Sequence, residues 1–502
     1  MRIRKNVNEI KDGTLLWYSK AVEEMKKRDI SDPTSWWYQA AIHGIGFKTY
    51  TENPLGHNNM HEWSEDSIWK KAKGIPQNTI QAEALADEMK DKHFWQQCQH
   101  GSWYFLPWHR MYLYFFERIV SKTIQDLGGP DDWTLPYWNY FNAFNPKLTP
   151  KLKEKALFIP QEFGFFCNDT HQTQPNPDFP GLWIEERQSY KLNPRTPDHP
   201  GDLWDTSSMQ STGFVGEGPD GFGGEITDFS HNGRYFGALE NNPHNTVHDE
   251  IGGTMGDPNT AALDPIFWLH HANIDRLWQS WIENGNTDTT DKKWLNQVFY
   301  FHNEHGEKVS LSPSDVLNTQ QLDYTYSENY SGLNQTEPVI HKSYLRGTFV
   351  LDTIAASIKP LSLNSTPIST SLDFISSEKT KVVLTHIGTE SSPAPTAVYV
   401  SLENITGAGN IAPVHIFIKL PNSKERFFVG SLGLFGLTQA SSPSTHSAGQ
   451  GLNVQLNATE IVHQLRAHPQ WKLEDIHIEV EPSRALGAAN ATIGRISIKA
   501  EV

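Results

Sequence analysis

The sequence contains only two cysteines, Cys98 and Cys167, in 502 residues. A framework of several disulfides therefore cannot stabilise this protein, although a single bridge between the two remains open. Positive charge is also in deficit, because the formal net charge is −16 at pH 7. This charge argues against nucleic acid or an anionic membrane as a partner and favours a small neutral or cationic molecule.

Long apolar runs are missing as well, since no segment approaches the roughly 18 apolar residues that span a bilayer. The N-terminus reads Met-Arg-Ile-Arg-Lys and lacks the apolar core of a secretory signal. We therefore predict no membrane association and a cytoplasmic location, with secretion after processing as the alternative. The length predicts two or three domains, which is enough to bury a deep site.

Tryptophan is nearly absent from the last third of the chain, where Trp471 alone follows residue 295. This change of composition predicts a domain boundary. Before it, apolar residues recur with a helical period and predict helices at 16–28, 33–43, 107–124, 243–250 and 265–282. The stretch 145–234 is rich in Pro, Gly, Asn and Asp and predicts loops packed over a helical core.

After residue 340 the apolar period changes to two, which predicts half-buried strands at 414–420, 476–480 and 496–499. Segments rich in Ser, Thr and Pro separate these strands. The sequence therefore predicts a small antiparallel β-sandwich in this part of the chain.

Two histidines, His244 and His248, follow Asn242 and Pro243 and are four residues apart. Asn242 is predicted to cap a helix and Pro243 to occupy its first position. Both rings would then lie on one helix face. A single pair with this spacing is weak evidence of a metal site.

His100 and His109 are nine residues apart and would lie on opposite sides of one continuous helix. Gly101 and Pro107 offer another solution. An extended segment after His100, followed by a helix that begins at Pro107, would place His109 in the first turn and let the two rings converge.

A third cluster, His270 and His271, follows Asp264 and Pro265, which predict a cap and a helix start. His271 lies on the apolar stripe of this helix, whereas His270 points about 100° away. We therefore expect His271 to face the core and His270 to support the site or pack against it. Each histidine alone would more simply be a hydrogen-bonded core residue, but three clusters together favour a metal site.

The chemistry of these clusters narrows the choice of metal. The positive end of a helix dipole favours the neutral imidazole that a metal requires. Several imidazoles without a carboxylate cage suit copper or zinc rather than calcium or magnesium. The commonest zinc hydrolase pattern, His-Glu-x-x-His, is absent from the sequence.

At these residues the sequence resembles the copper A and copper B signatures of tyrosinases, catechol oxidases and molluscan haemocyanins. The positions that carry the resemblance are His100, Phe105, Trp108, His109, Arg110 and Glu117, then Asp264, Pro265, Phe267, His271 and Asp275. The resemblance implies a mainly α catalytic domain built on a four-helix bundle that holds two copper ions, residues 1–332. It further implies a C-terminal β-sandwich lid domain like that of plant polyphenol oxidases, residues 333–502.

By this resemblance, copper A is held by His43, His100 and His109, and copper B by His244, His248 and His271. His43 is chosen because it ends a predicted helix, as in fungal tyrosinases; the alternatives for its position are His57, His61 and His93.

The resemblance also suggests a thioether bond between Cys98 and His100, which would hold a ligand that no helix positions. A free thiol and a disulfide between Cys98 and Cys167 are the alternatives.

The implied activity is ortho-hydroxylation of monophenols and oxidation of o-diphenols to o-quinones, with oxygen and small phenols as the partners. A phenol must lose its proton to bind copper, and Glu240 and Asn245 match family positions that hold an activating water. They would otherwise be ordinary residues of a helix start. Pro258 stands where plant enzymes usually have a bulky Phe, which implies a wider substrate entrance.

The sequence is compatible with two other functions. One is a catechol or o-aminophenol oxidase without monophenolase activity, and the other is a haemocyanin-like oxygen carrier. The chain contains a single copper core, whereas oxygen carriers of this family are usually multi-unit chains, so an enzyme is favoured over a carrier. The loop 434–451 is expected to reach over the copper pocket, with Phe435 and Leu437 as candidate plugs, although a purely stabilising domain is the alternative. A homo-oligomer is compatible with the sequence.

Overall fold

The structure is a computed structural model that describes residues 1–29, 32–44, 97–167, 172–185, 187–195, 204–216, 221–227, 236–330, 351–375, 397–420, 425–442, 449–469, 471, 477–486 and 489–501. The chain folds into two compact units. Unit 1 comprises Met1–Leu192, Thr227–His231 and Glu250–Asn334, and unit 2 comprises Asn193–Ile226, Asn232–Asp249 and Gln335–Val502. The predicted boundary after residue 332 lies outside the described residues and stays a prediction.

Helices dominate the described residues before 300. They are α1 Thr14–Lys27, α2 Trp36–His43, α3 Phe105–Asp126, α4 Pro150–Leu157, α5 Thr246–Ile251, α6 Pro265–Glu283 and α7 Lys292–Leu295. The helices predicted at 16–28, 33–43, 107–124 and 265–282 are thereby confirmed within a few residues at their ends. In the described part of the chain, no helix is long and apolar enough to cross a membrane.

Three local predictions were wrong in detail. Helix α3 begins at Phe105, so His109 lies in its second turn; Pro107 is tolerated because the first turn has no partners for its N–H groups. The helix predicted from Pro243 is interrupted: a π-type turn, Glu240–Asn245, contains a non-helical Asn242 (φ −146°, ψ 116°) before α5 begins. Helix α4 lies in the stretch predicted as loops.

Unit 1 is built around aromatic contacts between α3 and α6. Phe116 of α3 stacks on Trp268 of α6 with an interplanar angle of 6°. Trp36 of α2 packs against both rings. These contacts fix the three helices from which His43, His109 and His271 project.

A buried network of ion pairs connects the N-terminal segment of unit 1 to its central helices. Arg4 donates to Glu117 of α3 (2.6 Å) and to Asp275 of α6 (3.3 Å), and Arg110 Nε lies 2.5 Å from Asp275. Burial raises the pKa of Asp275, but Arg110 and Arg4 outweigh it, so this pKa lies below its ordinary value. The network joins the first strand of the chain to the two central helices.

Short strands pair within the first 330 residues. They are β1 Arg2–Arg4, β2 Phe165–Cys167, β3 Gln172–Gln174, β4 Gly213–Val215, β5 Gly221–Gly224, β6 Phe299–His302, β7 Lys308–Leu311 and β8 Tyr324–Tyr326. Strand β1 pairs in parallel with β8, which brings Arg4 beside Tyr326. Strands β2 and β3, β4 and β5, and β6 and β7 form the other pairs.

Unit 2 contains two antiparallel sheets. The strands of these two sheets are β9 Leu351–Ala356, β10 Leu361–Ser362, β11 Ile368–Ser371, β12 Asp373–Phe374, β13 Val398–Ala408, β14 Val414–Lys419, β15 Arg426–Leu432, β16 Leu452–Asn457, β17 His477–Pro482 and β18 Asn490–Glu501. One sheet has the order β12-β9-β18-β13-β16, with β10 on β18, and the other β11-β17-β14-β15. Helix α8 Leu437–Ser441 lies between β15 and β16 in the sequence, and helix α9 Thr459–Arg466 lies between β16 and β17.

The predicted strands at 414–420, 476–480 and 496–499 are confirmed as β14, β17 and part of β18. Apolar residues of both sheets, including Val400, Ile416, Val480 and Ile498, belong to one hydrophobic core. Period-two patterning therefore identified strands that share a buried core.

Candidate metal centre

The described residues contain two buried groups of side chains with the composition of a metal site. The first group lies wholly in unit 1 and consists of His43, Cys98, His100 and His109, whose potential ligand atoms all lie within 4.8 Å of one another. His43 ends α2, His109 belongs to α3, and His100 precedes a positive-φ glycine, Gly101 (φ 57°). The predicted convergence of His100 and His109 therefore occurs.

His43 is oriented by one hydrogen bond. Its Nδ1 donates to the main-chain oxygen of Pro258 at 2.7 Å, while its buried Nε2 has no hydrogen-bond partner among the described residues. Burial lowers the pKa of His43 to about 4, although the carbonyl of Pro258 acts in the opposite direction. The ring is therefore neutral at pH 7 and presents a lone pair, as a metal ligand must.

His109 is oriented in the same way by its own helix. Its Nδ1 lies 2.8 Å from the main-chain oxygen of Phe105. Cys98 Sγ lies 3.6 Å from His100 Nδ1 and 3.9 Å from His109 Nε2, so the sulfur is close to both rings. The side chain of Cys167 lies outside the described residues, as do His57, His61 and His93.

The second group contains His244 and His248, whose ring centroids are 4.5 Å apart in unit 2. His244 Nδ1 donates to Asn245 Oδ1 at 2.8 Å, and this hydrogen bond orients the ring. The predicted sharing of one helix face is replaced by the π-type turn, yet the two rings still meet. Glu240, at the start of that turn, is buried.

The neighbouring histidines of α6 point in different directions. His271 stacks on His109 with ring centroids 4.6 Å apart, and it packs at a tilt against Phe267 with ring centroids 4.1 Å apart. His270 instead faces Tyr140, whose hydroxyl lies 3.1 Å from His270 Nδ1. Only His271 therefore faces the first group of histidines in unit 1.

A phenyl ring covers the histidine pair of unit 2. Phe435 stacks on His248 with ring centroids 4.1 Å apart and an interplanar angle of 21°, and its edge meets His244 at 5.7 Å. Phe435 is 2% exposed, and Leu437, which begins α8, is also buried.

Asp249 fixes the segment that carries this ring. Its carboxylate accepts hydrogen bonds from the N–H groups of Leu434 and Phe435. Arg484 donates to the main-chain oxygen of Asp249 at 2.8 Å. The residue after His248 thus anchors the chain around Phe435.

The groups that orient the histidine rings could not be identified from the sequence. Pro258 and Phe105 act through main-chain oxygens, which leave no side-chain signal in a sequence. Position 258 was singled out for the size of its side chain, whereas its described contact with the site is through the backbone. The role of Tyr140 beside His270 also had no pattern that could have identified it.

The chain matches known families over most of its length. Residues 33–284 match the common central domain of tyrosinase, residues 288–335 the polyphenol oxidase middle domain, and residues 350–501 a domain of unknown function, DUF7868. Tyrosinase HcTyr1 of Hahella sp. (strain CCB-MM4) is 40% identical over 512 aligned residues, with 100% of both chains covered. The chloroplastic polyphenol oxidase of Malus domestica is 28% identical over 347 residues, which cover 65% of this chain and 49% of that protein.

Solved structures share the fold. Latent apple tyrosinase superposes with a TM-score of 0.55 at 22% identity and covers 99% of this chain and 97% of its own. Recombinantly expressed latent aurone synthase, a polyphenol oxidase, gives a TM-score of 0.55 at 18% identity, with coverages of 100% and 89%. A helical region followed by a β-rich region is therefore common to these proteins and this chain.

Proposed function

The chain belongs to the tyrosinase family and is a copper-dependent oxidoreductase with two copper ions, and on this premise we propose that it is a tyrosinase-like polyphenol oxidase. With molecular oxygen it hydroxylates monophenols at the ortho position and oxidises o-diphenols to o-quinones. One observation carries the proposal: in a chain of this family, His43, His100 and His109 converge as buried rings, and Nδ1 of His43 and of His109 is tied to a main-chain oxygen.

The proposed ligands are His43, His100 and His109 for copper A, and His244, His248 and His271 for copper B. These ligands suit copper, because they are imidazoles with oriented Nδ1 atoms and lie near one thiol. They do not suit calcium or magnesium, which bind mainly to oxygen ligands. Bound copper would supply the electron transfer between phenol and oxygen. The protein contributes orientation of the rings, a dry surrounding of aromatic side chains, and control of the substrate proton.

Glu240 and Asn245 are the proposed groups that handle this proton. A free phenol has a pKa of about 10, so it needs a base near neutral pH. Both residues belong to the π-type turn that also carries His244, and both are buried. Asn245 additionally orients His244, since its Oδ1 accepts the Nδ1 proton. Its amide N–H groups remain to hold a water or the substrate oxygen.

We also propose the thioether between Cys98 and His100, which the 3.6 Å approach of Sγ to His100 Nδ1 supports. His100 follows a non-helical segment, so a covalent link would fix a ring that no helix holds. The two sheets of unit 2, which share one core, support the proposed β-sandwich. The four-helix bundle remains a proposal supported by the packing of α2, α3 and α6.

The C-terminal domain, residues 333–502, is proposed to act as a lid. The stacking of Phe435 on His248 supports this role, because the ring occupies the face of a proposed copper B ligand. The entrance role of Pro258 and a cytoplasmic location also stay proposals.

The decisive assay adds catechol, and separately tyramine, to the copper-loaded chain and follows quinone formation. Quinone from both substrates supports a tyrosinase; quinone from catechol alone identifies a diphenol oxidase; reversible oxygen binding without quinone identifies an oxygen carrier. The matched control is His302→Ala, because His302 is a buried histidine of unit 1 that contacts Tyr38 and belongs to neither group of potential metal ligands among the described residues. It should retain activity, whereas His109→Ala should abolish it.

A further inference from the structure

A tight turn in unit 1 contacts His43, a proposed copper A ligand, on the side of its Nδ1 atom. Residues 257–260 lie between two short 3-10 helices, Gly253–Gly256 and Ala261–Leu263. Pro258, in this turn, presents its main-chain oxygen to His43 Nδ1 at 2.7 Å. A backbone carbonyl cannot be removed by substitution, so its position depends on the residues that shape the turn and the chain opposite.

Gly44 forms the opposite surface. Its φ of −178° is extended and open to any residue, so backbone strain does not require glycine here. Glycine is required here by the lack of space, because a Cβ at Gly44 would lie 2.8 Å from the main-chain oxygen of Pro258 and 2.9 Å from Cα of Asn259. These are backbone atoms, which cannot rotate away as a side chain can. An alanine would therefore push the carbonyl from its place beside His43.

Asp257 holds the turn from within. Its Oδ1 accepts the N–H of Asn259 at 2.9 Å, and its main-chain oxygen accepts the N–H groups of Thr260 (2.9 Å) and Ala261 (2.8 Å). The hydroxyl of Thr260 donates to the main-chain oxygen of Thr254 at 2.9 Å. The side chain of Asp257 is thus the removable support next to Pro258.

We propose that Gly44 and Asp257 are positioning residues for copper A: together they hold the Pro258 carbonyl on His43 Nδ1, so that Nε2 is presented to the metal. The inference rests on the proposed assignment of His43 to copper A. It gives position 258 a role through its backbone. Because the same turn leads into the cap of α6 at Asp264, one segment positions a copper A ligand and starts the helix that carries His271.

Copper content and electron paramagnetic resonance test this proposal. Loss of an orienting partner typically weakens metal binding about 10–100-fold, so Gly44→Ala and Asp257→Ala should retain about one copper per chain after dialysis at copper concentrations that leave the wild type with two. The remaining isolated cupric ion should give a mononuclear resonance signal, whereas a coupled pair is silent. Asp257→Asn keeps the Oδ1 acceptor and should restore the second copper.

Two further variants distinguish an error in the ligand assignment from an error in the positioning role. Gly129→Ala is the steric control, because its Cβ would meet the side chains of Ile124 and Trp17 at 2.5–2.9 Å in the same unit, and neither of these residues is a proposed ligand; it should lower the melting temperature yet keep two coppers. His43→Ala should lose one copper. If His43→Ala keeps both, the ligand assignment is wrong. If His43→Ala loses one while Gly44→Ala and Asp257→Ala keep two, the positioning role is wrong. Loss of copper from Asp257→Asn equal to that from Asp257→Ala would also overturn it.

Discussion

Phe435 offers the sharpest perturbation of the proposed lid, because one side chain covers a proposed copper B ligand. Phe435→Ala removes a ring that is 2% exposed and stacked 4.1 Å from the ring of His248. We expect the substitution to weaken closure of the site and to raise diphenol oxidation by the otherwise unmodified chain.

The size of the effect follows from the contacts that are lost. Burial of a phenyl side chain contributes about 2 kcal/mol, and an aromatic pair in good geometry adds about 1 kcal/mol. Loss of about 3 kcal/mol would shift the equilibrium between covered and uncovered sites by roughly 100-fold, at 1.4 kcal/mol for each factor of ten. This factor is an upper limit on the increase in turnover, because turnover stops rising once the site is uncovered in most molecules.

The assay is catechol turnover at fixed copper content, without detergent, acid or protease. Phe435→Leu keeps an apolar plug and should stay close to the wild type. Phe427→Ala controls for general weakening of unit 2, because Phe427 packs against the hydrophobic core of its two sheets and its ring meets His468, which is not a proposed ligand. Unchanged turnover in a folded Phe435→Ala variant with two coppers would refute the lid and leave the domain a stabilising role.

Three further predictions concern single residues. Glu240→Gln should depress tyramine hydroxylation more than catechol oxidation, because a diphenol ionises more readily; equal losses of kcat/KM would remove Glu240 from proton transfer. Cys98→Ser should lower copper retention, and intact mass spectrometry of the wild type should show a loss of two hydrogens that survives reductant, whereas a loss reversed by reductant would indicate a disulfide. The pKa of Asp275 is depressed in the folded state, so its ion pairs contribute stability above the unfolded pKa of about 3.9, and this contribution is lost as the pH falls through the folded pKa. Asp275→Asn should therefore cost about 3–5 kcal/mol in urea unfolding near pH 7, with a smaller difference below about pH 4; a difference independent of pH would contradict the ionic account.

Much of this architecture could be predicted because each strong pattern has a direct physical cause. The apolar stripe and the cap at Asp264 predicted α6, and Asp264 Oδ1 does accept the N–H of Ile266. Alternation of apolar residues around Ile416 predicted β14. In both cases the periodicity reports which face of the element is buried.

The wrong secondary-structure predictions have a different cause. Local sequence signals for a helix or loop compete with contacts between residues distant in sequence and with the surrounding composition. Asn242 was predicted to cap a regular helix, but its amide donates to Asp205 at 3.2 Å, and the backbone leaves the helical region there. Helix α4 begins with Pro150 after Thr149, a start signal that the surrounding Pro- and Asn-rich composition concealed.

The ring-orienting role of Pro258 depends on the fold bringing residues 43 and 258 together, which no local pattern in the sequence reveals. The side-chain size at that position was visible, whereas the carbonyl contact was not. Metal sites are commonly completed in this way, because main-chain oxygens are available at every residue.

Metal analysis of the copper-loaded protein shows whether this chain holds a pair of copper ions on histidines. We expect two coppers per chain in the wild type and in His302→Ala, and fewer than two in His109→Ala and His271→Ala with the helical content retained. One zinc and no copper in the wild type after copper reconstitution would exclude a dinuclear copper site.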